Sequence, residues 1–278
     1  MTYKELLRIS REEYKLDSKT IDYLLKNYFK LEEIGKINNV EIDEDKLKSY
    51  EEKVNLIKKG LPIQYVLENV NFYGYNFHVK EGVLIPRFET EELVYNTKEY
   101  ILKYFGSDIS IIDIGTGSGA IGLTLKKEIP NLNVTLTDIS DIALEVAKYN
   151  SEKLNVSVDI YKSNMLEEVI KRKKKFDIIV SNPPYLRKDE EIMDIVKQYE
   201  PSIALYGGLD GLKYYEEILK DAKKVLNKRA ILAFEIGSNQ SEELVKLVSK
   251  YFNDSNYVFK CDLQGRTRML FIFYNISD

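Results

Sequence analysis

A short polar segment, Asn182-Pro183-Pro184-Tyr185, gives the strongest chemical signal in the chain. It follows residues 176–180, an apolar and β-branched run typical of a buried strand, and the two prolines prevent that strand from pairing further. The segment therefore opens into a loop at the carboxyl end of a strand, where open α/β sheets bind their ligands. A turn that only ends the strand is the plainer alternative.

This segment offers more hydrogen-bond acceptors than donors, because its two prolines keep their backbone carbonyls but have no backbone N–H. The side-chain carbonyl of Asn182 and the backbone carbonyl of Pro183 can face one pocket, with Tyr185 as a flat wall beside them. Two such acceptors suit a planar NH2 group and leave the face of its nitrogen free to meet an electrophile. The segment thus predicts chemistry at an amide or exocyclic amine nitrogen.

A second segment, Asp113-Ile114-Gly115-Thr116-Gly117-Ser118-Gly119, follows another apolar strand and opens a helix. Glycine lets the backbone turn sharply and approach a ligand closely. Gly117, Gly119 and Gly122 also match the dinucleotide-binding fingerprint, and Asp138 at the end of the next strand is available for ribose hydroxyls. NAD is therefore one candidate ligand.

The carboxylate of Asp113 favours a different cofactor, because it disfavours a pyrophosphate and suits an ammonium group. S-adenosylmethionine has an ammonium, a ribose and a sulfonium but no phosphate, so Asp113 would face its amino end and Asp138 its ribose. We expect Asn164 to accept from the adenine amine and Met165 to cover the ring, with an ordinary loop as the alternative. The predicted cofactor contacts are Asp113, Gly115, Thr116, Gly117, Ser118, Gly119, Asp138, Asn164, Met165 and Asn182.

From residue 110 onward the sequence alternates predicted strands and helices, which is typical of a parallel sheet with helices on both faces. The predicted strands are residues 110–114, 134–137, 156–161, 176–180, 230–235, 257–261 and 269–274. The last two are separated by a short turn and must be antiparallel neighbours. The expected fold class is α/β, with a seven-stranded, mostly parallel sheet and an antiparallel C-terminal strand.

Residues 1–66 have apolar side chains at helical spacing and predict a small helical domain that either selects a partner or only extends the packing. Ser18 and Asp43 are its expected N-caps. Residues 67–86 alternate with a period of two and predict a β-hairpin linker, leaving 87–278 as the sheet domain. We expect Thr90 to cap the next helix, and Arg87 to border the pocket as a substrate contact.

The composition argues against several classes of function and site. A net charge of −4 argues against a protein that holds duplex nucleic acid mainly through its phosphates. One cysteine excludes an intramolecular disulfide, and one histidine, His78, excludes a multi-histidine metal site, so no metal is expected. We find no apolar signal segment or membrane-spanning window, and we therefore expect a cytoplasmic enzyme.

Several segments of the chain resemble one known family closely, the glutamine N5-methyltransferases of peptide chain release factors (the PrmC/HemK family). The matching segments are residues 60–65, 72–74, 82–87, 113–119, 182–185, 199–201, 204–208, 210–212 and 235–237. The Asn-Pro-Pro-Tyr element alone also occurs in adenine-N6 DNA methyltransferases and some rRNA guanine methyltransferases, so the whole series is more specific. The departures are Phe88 for proline, Glu68 for glycine and Asn164 for aspartate.

The resemblance implies an N-terminal helix bundle, a hairpin linker and a class I S-adenosylmethionine-dependent methyltransferase domain, Rossmann-like, with strand order 3-2-1-4-5-7-6. It also implies that the substrate is the glutamine of the Gly-Gly-Gln loop of class I release factors. Apart from the resemblance, we expect a monomer that does not bind nucleic acid directly. The predicted substrate contacts are Arg87, Asn182, Pro183, Pro184 and Tyr185, with Asn182, Pro183 and Tyr185 as the catalytic group.

Three other functions stay open on the sequence. A ribosomal-protein glutamine methyltransferase would share the same pocket. A DNA or RNA amine methyltransferase would need a flipped base and a basic groove, which the charge balance disfavours. A non-enzymatic adaptor would not need Asp113, Asp138 and Asn182 together.

Overall fold

The structure, a computed structural model, describes residues 1–29, 41–106 and 108–276. The chain divides into two compact units, Met1–Asn69 and Val70–Asp278. The sequence placed the end of the helical domain at residue 66, and the hairpin that follows belongs to the second unit except for its first residue. No helix in the described ranges is both long and apolar enough to cross a membrane.

The first unit is helical and has its own apolar core. Its helices are α1 (Tyr3–Glu12), α2 (Ser18–Asn27), α3 (Glu44–Lys58) and α4 (Ile63–Val66). Leu24, Tyr50 and Val54 are fully buried in that core. Asp43 caps α3 as expected, but Asp17, not Ser18, caps α2, because its carboxylate accepts from two backbone N–H groups of the first turn.

The second unit begins with a two-stranded hairpin and continues as one large sheet with helices. The hairpin strands are β1 (Asn69–Phe72) and β2 (Tyr75–His78). The remaining helices are α5 (Phe88–Tyr104), α6 (Ala120–Glu128), α7 (Asp141–Lys153), α8 (Glu167–Lys171), α9 (Asp194–Tyr199), α10 (Lys213–Ala222) and α11 (Ser241–Tyr251). The sheet strands are β3 (Ser110–Ile114), β4 (Asn133–Asp138), β5 (Asp159–Lys162), β6 (Phe176–Ser181), β7 (Leu226–Glu235), β8 (Asn256–Cys261) and β9 (Thr267–Tyr274).

The seven strands lie in the order β5-β4-β3-β6-β7-β9-β8. Strands β3 to β7 pair in parallel, and β9 runs antiparallel to both of its neighbours. This is the order 3-2-1-4-5-7-6, so the expected fold class and topology are confirmed. Strand β7 begins earlier than predicted, because Leu226 already pairs with Phe176.

The register of the parallel strands brings four loop entries to one edge of the sheet. Ile114 pairs with Thr137 of β4 and with Ser181 of β6, and Ser181 pairs with Phe234 of β7. The residues that directly follow these paired positions therefore lie next to one another. They include Gly115 and the polar residues Asp138, Asn182 and Glu235. That edge is the carboxyl edge, which is the usual ligand site of such sheets.

Candidate functional site

A cavity of about 400 Å³ lies at this carboxyl edge, within the second unit. That volume is in the range of small-molecule and cofactor sites. Its lining includes these predicted site residues: Arg87, Gly115, Thr116, Gly117, Ser118, Asp138, Asn164, Met165, Asn182 and Pro184. The predicted residues outside that lining are Asp113, Gly119, Pro183 and Tyr185.

The glycine loop, residues 115–119, forms one wall of the cavity. Gly115 and Gly117 have φ values of 68° and 57°, a left-handed conformation that glycine adopts without strain. A β-carbon at Gly115 would meet no atom within 4 Å, so the space in front of this backbone is open. The backbone N–H of Thr116 donates to Thr137 at 2.9 Å and fixes the loop on β4.

Asp138 presents a carboxylate to the cavity from the last position of β4. Its Oδ2 accepts from the N–H of Gly117 and its Oδ1 from the N–H of Ser140, both at 2.9 Å. Burial raises the pKa of Asp138, and these backbone hydrogen bonds act in the opposite direction. Each oxygen keeps a further lone pair, so the carboxylate can accept from two adjacent hydroxyls such as those of a ribose.

Asp113 supports the glycine loop from beneath and does not line the cavity. Its Oδ2 accepts from Thr116 Oγ1 at 2.6 Å and from the N–H of Gly122 at 3.0 Å, while its Oδ1 has no hydrogen-bond partner in the described chain. Burial raises the pKa of Asp113 to about 6, against these hydrogen bonds and with a contribution from the Asp138 charge. The side chain therefore holds the loop in place from the protein interior.

Asn164 and Met165 follow β5 and also line the cavity. The Asn164 amide donates from Nδ2 to Glu167 at 3.0 Å, which leaves its Oδ1 as an acceptor. Met165 has a positive φ of 45° and its carbonyl accepts from Ser163 Oγ at 2.8 Å. An open glycine cradle, the Asp138 carboxylate and the Asn164 acceptor together fit the adenosine part of S-adenosylmethionine.

We call residues 182–185 the acceptor loop. Asn182 is half-buried, and its Nδ2 donates to Thr90 Oγ1 at 3.3 Å. Across the described ranges, neither Asn182 Oδ1 nor the Pro183 carbonyl accepts a hydrogen bond from protein. The loop is anchored behind by Gln240, whose Nε2 donates to the Tyr185 carbonyl at 3.1 Å.

The ring of Tyr185 packs against the apolar core of the sheet. Burial raises the pKa of its hydroxyl to about 12, with the nearby Glu235 charge acting in the same direction. The structure thus brings Asn182 and Pro184 to the cavity and places the Tyr185 ring behind them.

Arg87 lines the cavity and is the residue preceding α5. Its guanidinium Nη2 is 2.6 Å from Glu200 Oε1 in an ion pair, with the Glu200 side chain only 3% exposed and that of Arg87 35% exposed. The predicted helix cap at Thr90 is wrong, because α5 already begins at Phe88. The Thr90 hydroxyl instead donates to Glu235 Oε2 at 2.6 Å.

Sequence reasoning missed Thr90 and Glu235 as neighbours of Asn182. Glu235 ends β7 with its side chain buried, and burial raises its pKa to about 7. The available signal was an acidic residue at the end of a predicted strand, at the same edge as Asn182. Residues 82–84 and 86, whose sequence we noted only for the resemblance, also line the cavity.

Comparison with known proteins defines the class first. The methyltransferase small domain family matches residues 92–199. The structure aligns with the catalytic domain of human Mettl16 solved with an RNA hairpin (TM-score 0.57, 17% identity, covering 95% of this chain and 94% of that one). It also aligns with a Thermus thermophilus 16S rRNA methyltransferase in complex with AdoMet and guanosine (TM-score 0.55, 18% identity, 73% and 49% covered). The fold is that of the class I methyltransferases.

Sequence relatives then define the family. A release factor glutamine methyltransferase of Clostridium acetobutylicum is 43% identical over 249 residues, 87% of this chain and 86% of its own. One of Bacillus cereus is 39% identical over 260 residues, 92% of each chain. The chain belongs to the release factor glutamine methyltransferase family.

Proposed function

We propose that this enzyme methylates the side-chain nitrogen (N5) of the glutamine in the Gly-Gly-Gln loop of class I peptide chain release factors, with S-adenosylmethionine as the methyl donor. The observation that supports it most is that the Asn182 carboxamide lines the same cavity as Gly115, Gly117 and Asp138. An acceptor for an amide and a cradle for a nucleoside therefore share one space. The family relationship supports the same substrate.

The cofactor half of the cavity would be held by backbone and acid groups. We expect Asp138 to accept from the ribose hydroxyls, Asn164 to accept from the adenine amine and the glycine loop to lie against the remainder. When bound, the cofactor supplies a methyl group on a positively charged sulfur.

The acceptor loop would position the other reactant. An amide nitrogen is a weak nucleophile, because its lone pair is delocalised into the carbonyl. Asn182 Oδ1 would accept one N–H bond of the substrate glutamine. The Pro183 carbonyl, which lies outside the cavity lining in this structure, would accept the other when substrate binds, so that the face of the nitrogen points towards the methyl group. Correct positioning of reacting groups supplies several kcal/mol or more in such reactions. Methyl transfer would form the nitrogen–carbon bond and break the sulfur–carbon bond of the donor, and the nitrogen would then release one proton to solvent, so no strong base is needed.

A labelling experiment tests this assignment. The protein is incubated with methyl-labelled S-adenosylmethionine and intact release factor, the same factor with its loop glutamine changed to alanine, ribosomal protein, total RNA or DNA. We expect label only on the intact release factor, and peptide mass spectrometry should place it on the loop glutamine. Label on the alanine variant or on nucleic acid would contradict the proposal.

Removing the Asn182 side chain should abolish useful turnover and leave cofactor binding largely intact. Asn182→Ala deletes one acceptor of the substrate amide, leaving a buried donor unpaired at a cost of about 1–3 kcal/mol, and it also loosens the aim of the nitrogen. Asn253→Ala, at an exposed position outside the cavity lining, is the matched control. Near-normal turnover by Asn182→Ala would refute the acceptor role.

We further propose that the first unit recognises the body of the release factor. It has its own apolar core, so it can act as a separate recognition module. In the labelling experiment, intact release factor should show a lower KM than a short peptide containing Gly-Gly-Gln. Intact factor, but not the peptide, should also slow hydrogen exchange within Met1–Asn69. Equal KM values and unchanged exchange would argue against this role.

A further inference from the structure

The two ends of the Asn182 amide have almost the same shape, so hydrogen bonds alone determine which end faces the cavity. The proposed function, on which this inference rests, needs the oxygen there. An inverted amide would present a donor to the substrate NH2 group, and the two would repel. Something in the protein must therefore keep the amide in one orientation.

Thr90 and Glu235 provide the chemical reason for one orientation. Thr90 Oγ1 is 2.6 Å from Glu235 Oε2 and 3.3 Å from Asn182 Nδ2. A hydroxyl has one proton, and an ionised carboxylate can only accept, so the Thr90 proton points to Glu235. Only lone pairs of Thr90 then face Asn182, and only the NH2 end of the amide can bond to them.

The fold brings these three residues together from distant parts of the chain. Asn182 directly follows β6, Glu235 is the last residue of β7, and these two strands pair in parallel up to Ser181 and Phe234. Thr90 is the third residue of α5, and its side chain is almost fully buried against them. The arrangement is therefore built into the sheet edge and the first turn of a helix.

We propose that Thr90 and Glu235 are positioning residues that fix the Asn182 amide with its oxygen towards the substrate, and that this requires an ionised Glu235. Neither residue lies among the predicted substrate contacts, although Thr90 lines the cavity beside Asn182. They act through Asn182, by specifying which hydrogen-bonding group it offers.

The charge state of Glu235 is the part of this arrangement that responds to pH. Its side chain is buried, at 2% exposure for the residue, which raises its pKa to about 7, against the hydrogen bond from Thr90. The other charged and titratable groups around it are Arg268 on β9, Glu89 on α5, Tyr185 in the acceptor loop and Tyr215 on α10. A protonated Glu235 would donate to Thr90, and the Thr90 proton could then bond to the Asn182 oxygen. The inverted amide would become allowed, and the acceptor would leave the cavity.

Variants of Thr90 test the orientation directly. Thr90→Val keeps the shape but removes the hydroxyl, whereas Thr90→Ser keeps the hydroxyl. We expect Thr90→Val to lower kcat by about tenfold or more with little change in cofactor affinity, because a lost hydrogen bond of this kind lets the amide invert. Thr90→Ser should restore most of kcat. Wild-type kcat in Thr90→Val would overturn the proposal.

Thr97 offers a matched control on the same helix. Like Thr90, Thr97 is buried, with 1% of its surface exposed. Its hydroxyl has no hydrogen-bond partner in the described chain. Thr97→Val makes the same chemical change without touching Asn182, and it should retain wild-type kcat. An equal loss in Thr97→Val and Thr90→Val would show a general packing effect and overturn the assignment to Thr90.

The pH dependence tests the role of Glu235. Wild-type kcat should fall as the pH drops through about 7, and Glu235→Gln should be slow and lack this step. A second readout needs no substrate: the side-chain amide NMR signals of Asn182, assigned by their absence in Asn182→Ala, should shift over the same pH range in wild type but not in Glu235→Gln. If no release factor is methylated, the proposed function fails while the NMR result still decides the orientation. Signals of Asn182 that do not respond to pH would overturn the proposal.

Discussion

Gly207 lies where no side chain can fit, directly against the acceptor loop. Its N–H donates to the Leu186 carbonyl at 2.8 Å, so its segment runs beside the end of that loop. A β-carbon built on Gly207 would be 2.3 Å from the carbonyl oxygen of Pro184 and 2.8 Å from that of Gly211. Both neighbours are backbone atoms, so no rotamer change can relieve the overlap.

The size of the required movement sets the expected effect of Gly207→Ala. Ordinary van der Waals contact begins at 3.4 Å, so the two backbone segments must separate by about 1 Å. Such overpacking costs about 1–3 kcal/mol of stability, which corresponds to a Tm lower by roughly 2–4 °C per kcal/mol in a domain of this size. A displacement of about 1 Å in a positioning loop costs on the order of a hundredfold in rate. Cofactor affinity should change little, since Asp138 and the glycine loop are on other strands.

The assay combines three measurements on each variant: kcat with intact release factor, Tm, and cofactor affinity by calorimetry. Gly106→Ala is the matched control, because a β-carbon there would meet no atom within 4 Å and the residue has no positive φ. We expect the control to behave as wild type in all three. If Gly207→Ala keeps wild-type kcat while folded, the acceptor loop tolerates displacement and the positioning argument fails.

Two further predictions concern the carboxylates of the second unit. Asp138→Ala removes the acceptor for ribose hydroxyls and two loop hydrogen bonds, so cofactor Kd should rise by about tenfold to a hundredfold in calorimetry; unchanged Kd would exclude Asp138 from the cofactor site. Asp113 and Glu235 have folded-state pKa values of about 6 and about 7, above their ordinary values of 3.8 and 4.5. Their contribution to stability is therefore fully present below about pH 4 and is lost as the pH rises through 6 to 7, on the order of 3 kcal/mol each. The free energy of unfolding, measured with urea between pH 5 and 8, should fall less steeply with pH in Glu235→Gln than in wild type. An identical slope in that variant would contradict the raised pKa of Glu235.

The parts of the site that the sequence predicted are those encoded by local patterns. Two prolines after an apolar run identify a strand end wherever they occur, and glycines after a strand identify a loop that approaches a ligand. Asn182 and the glycine loop were predicted in this way, and Asp138 was predicted from its place at the end of the next strand; Asn182, Asp138 and residues 115–118 line the cavity. The strand order followed from the resemblance and agrees with the structure.

The contacts that the sequence did not predict depend on register and burial. Thr90 and Glu235 are separated by 145 positions, and only the pairing of β6 with β7 brings Glu235 beside the acceptor loop. A local capping rule applied to Thr90 gave the wrong partner, because the helix is capped at Arg87, three residues earlier. Asp113 was assigned to the cofactor on its charge, yet its carboxylate points into the interior, where it bonds Thr116 and Gly122. A strand pattern does not specify which of its last residues face the edge of the sheet.

The arrangement of strands also explains why binding and turnover should separate in these experiments. The groups that would hold the cofactor follow β3, end β4 or follow β5, whereas Asn182 follows β6 and Glu235 ends β7. The two halves meet at one strand pair, β3 with β6, where Ser181 Oγ donates to the Ile114 carbonyl at 2.7 Å. On the proposed function, changes at the ends of β3, β4 and β5 should therefore act on cofactor binding, and changes at the ends of β6 and β7 should act on the aim of the substrate nitrogen. A class I sheet can keep its cofactor cradle while the acceptor loop and its supports determine which nitrogen is methylated.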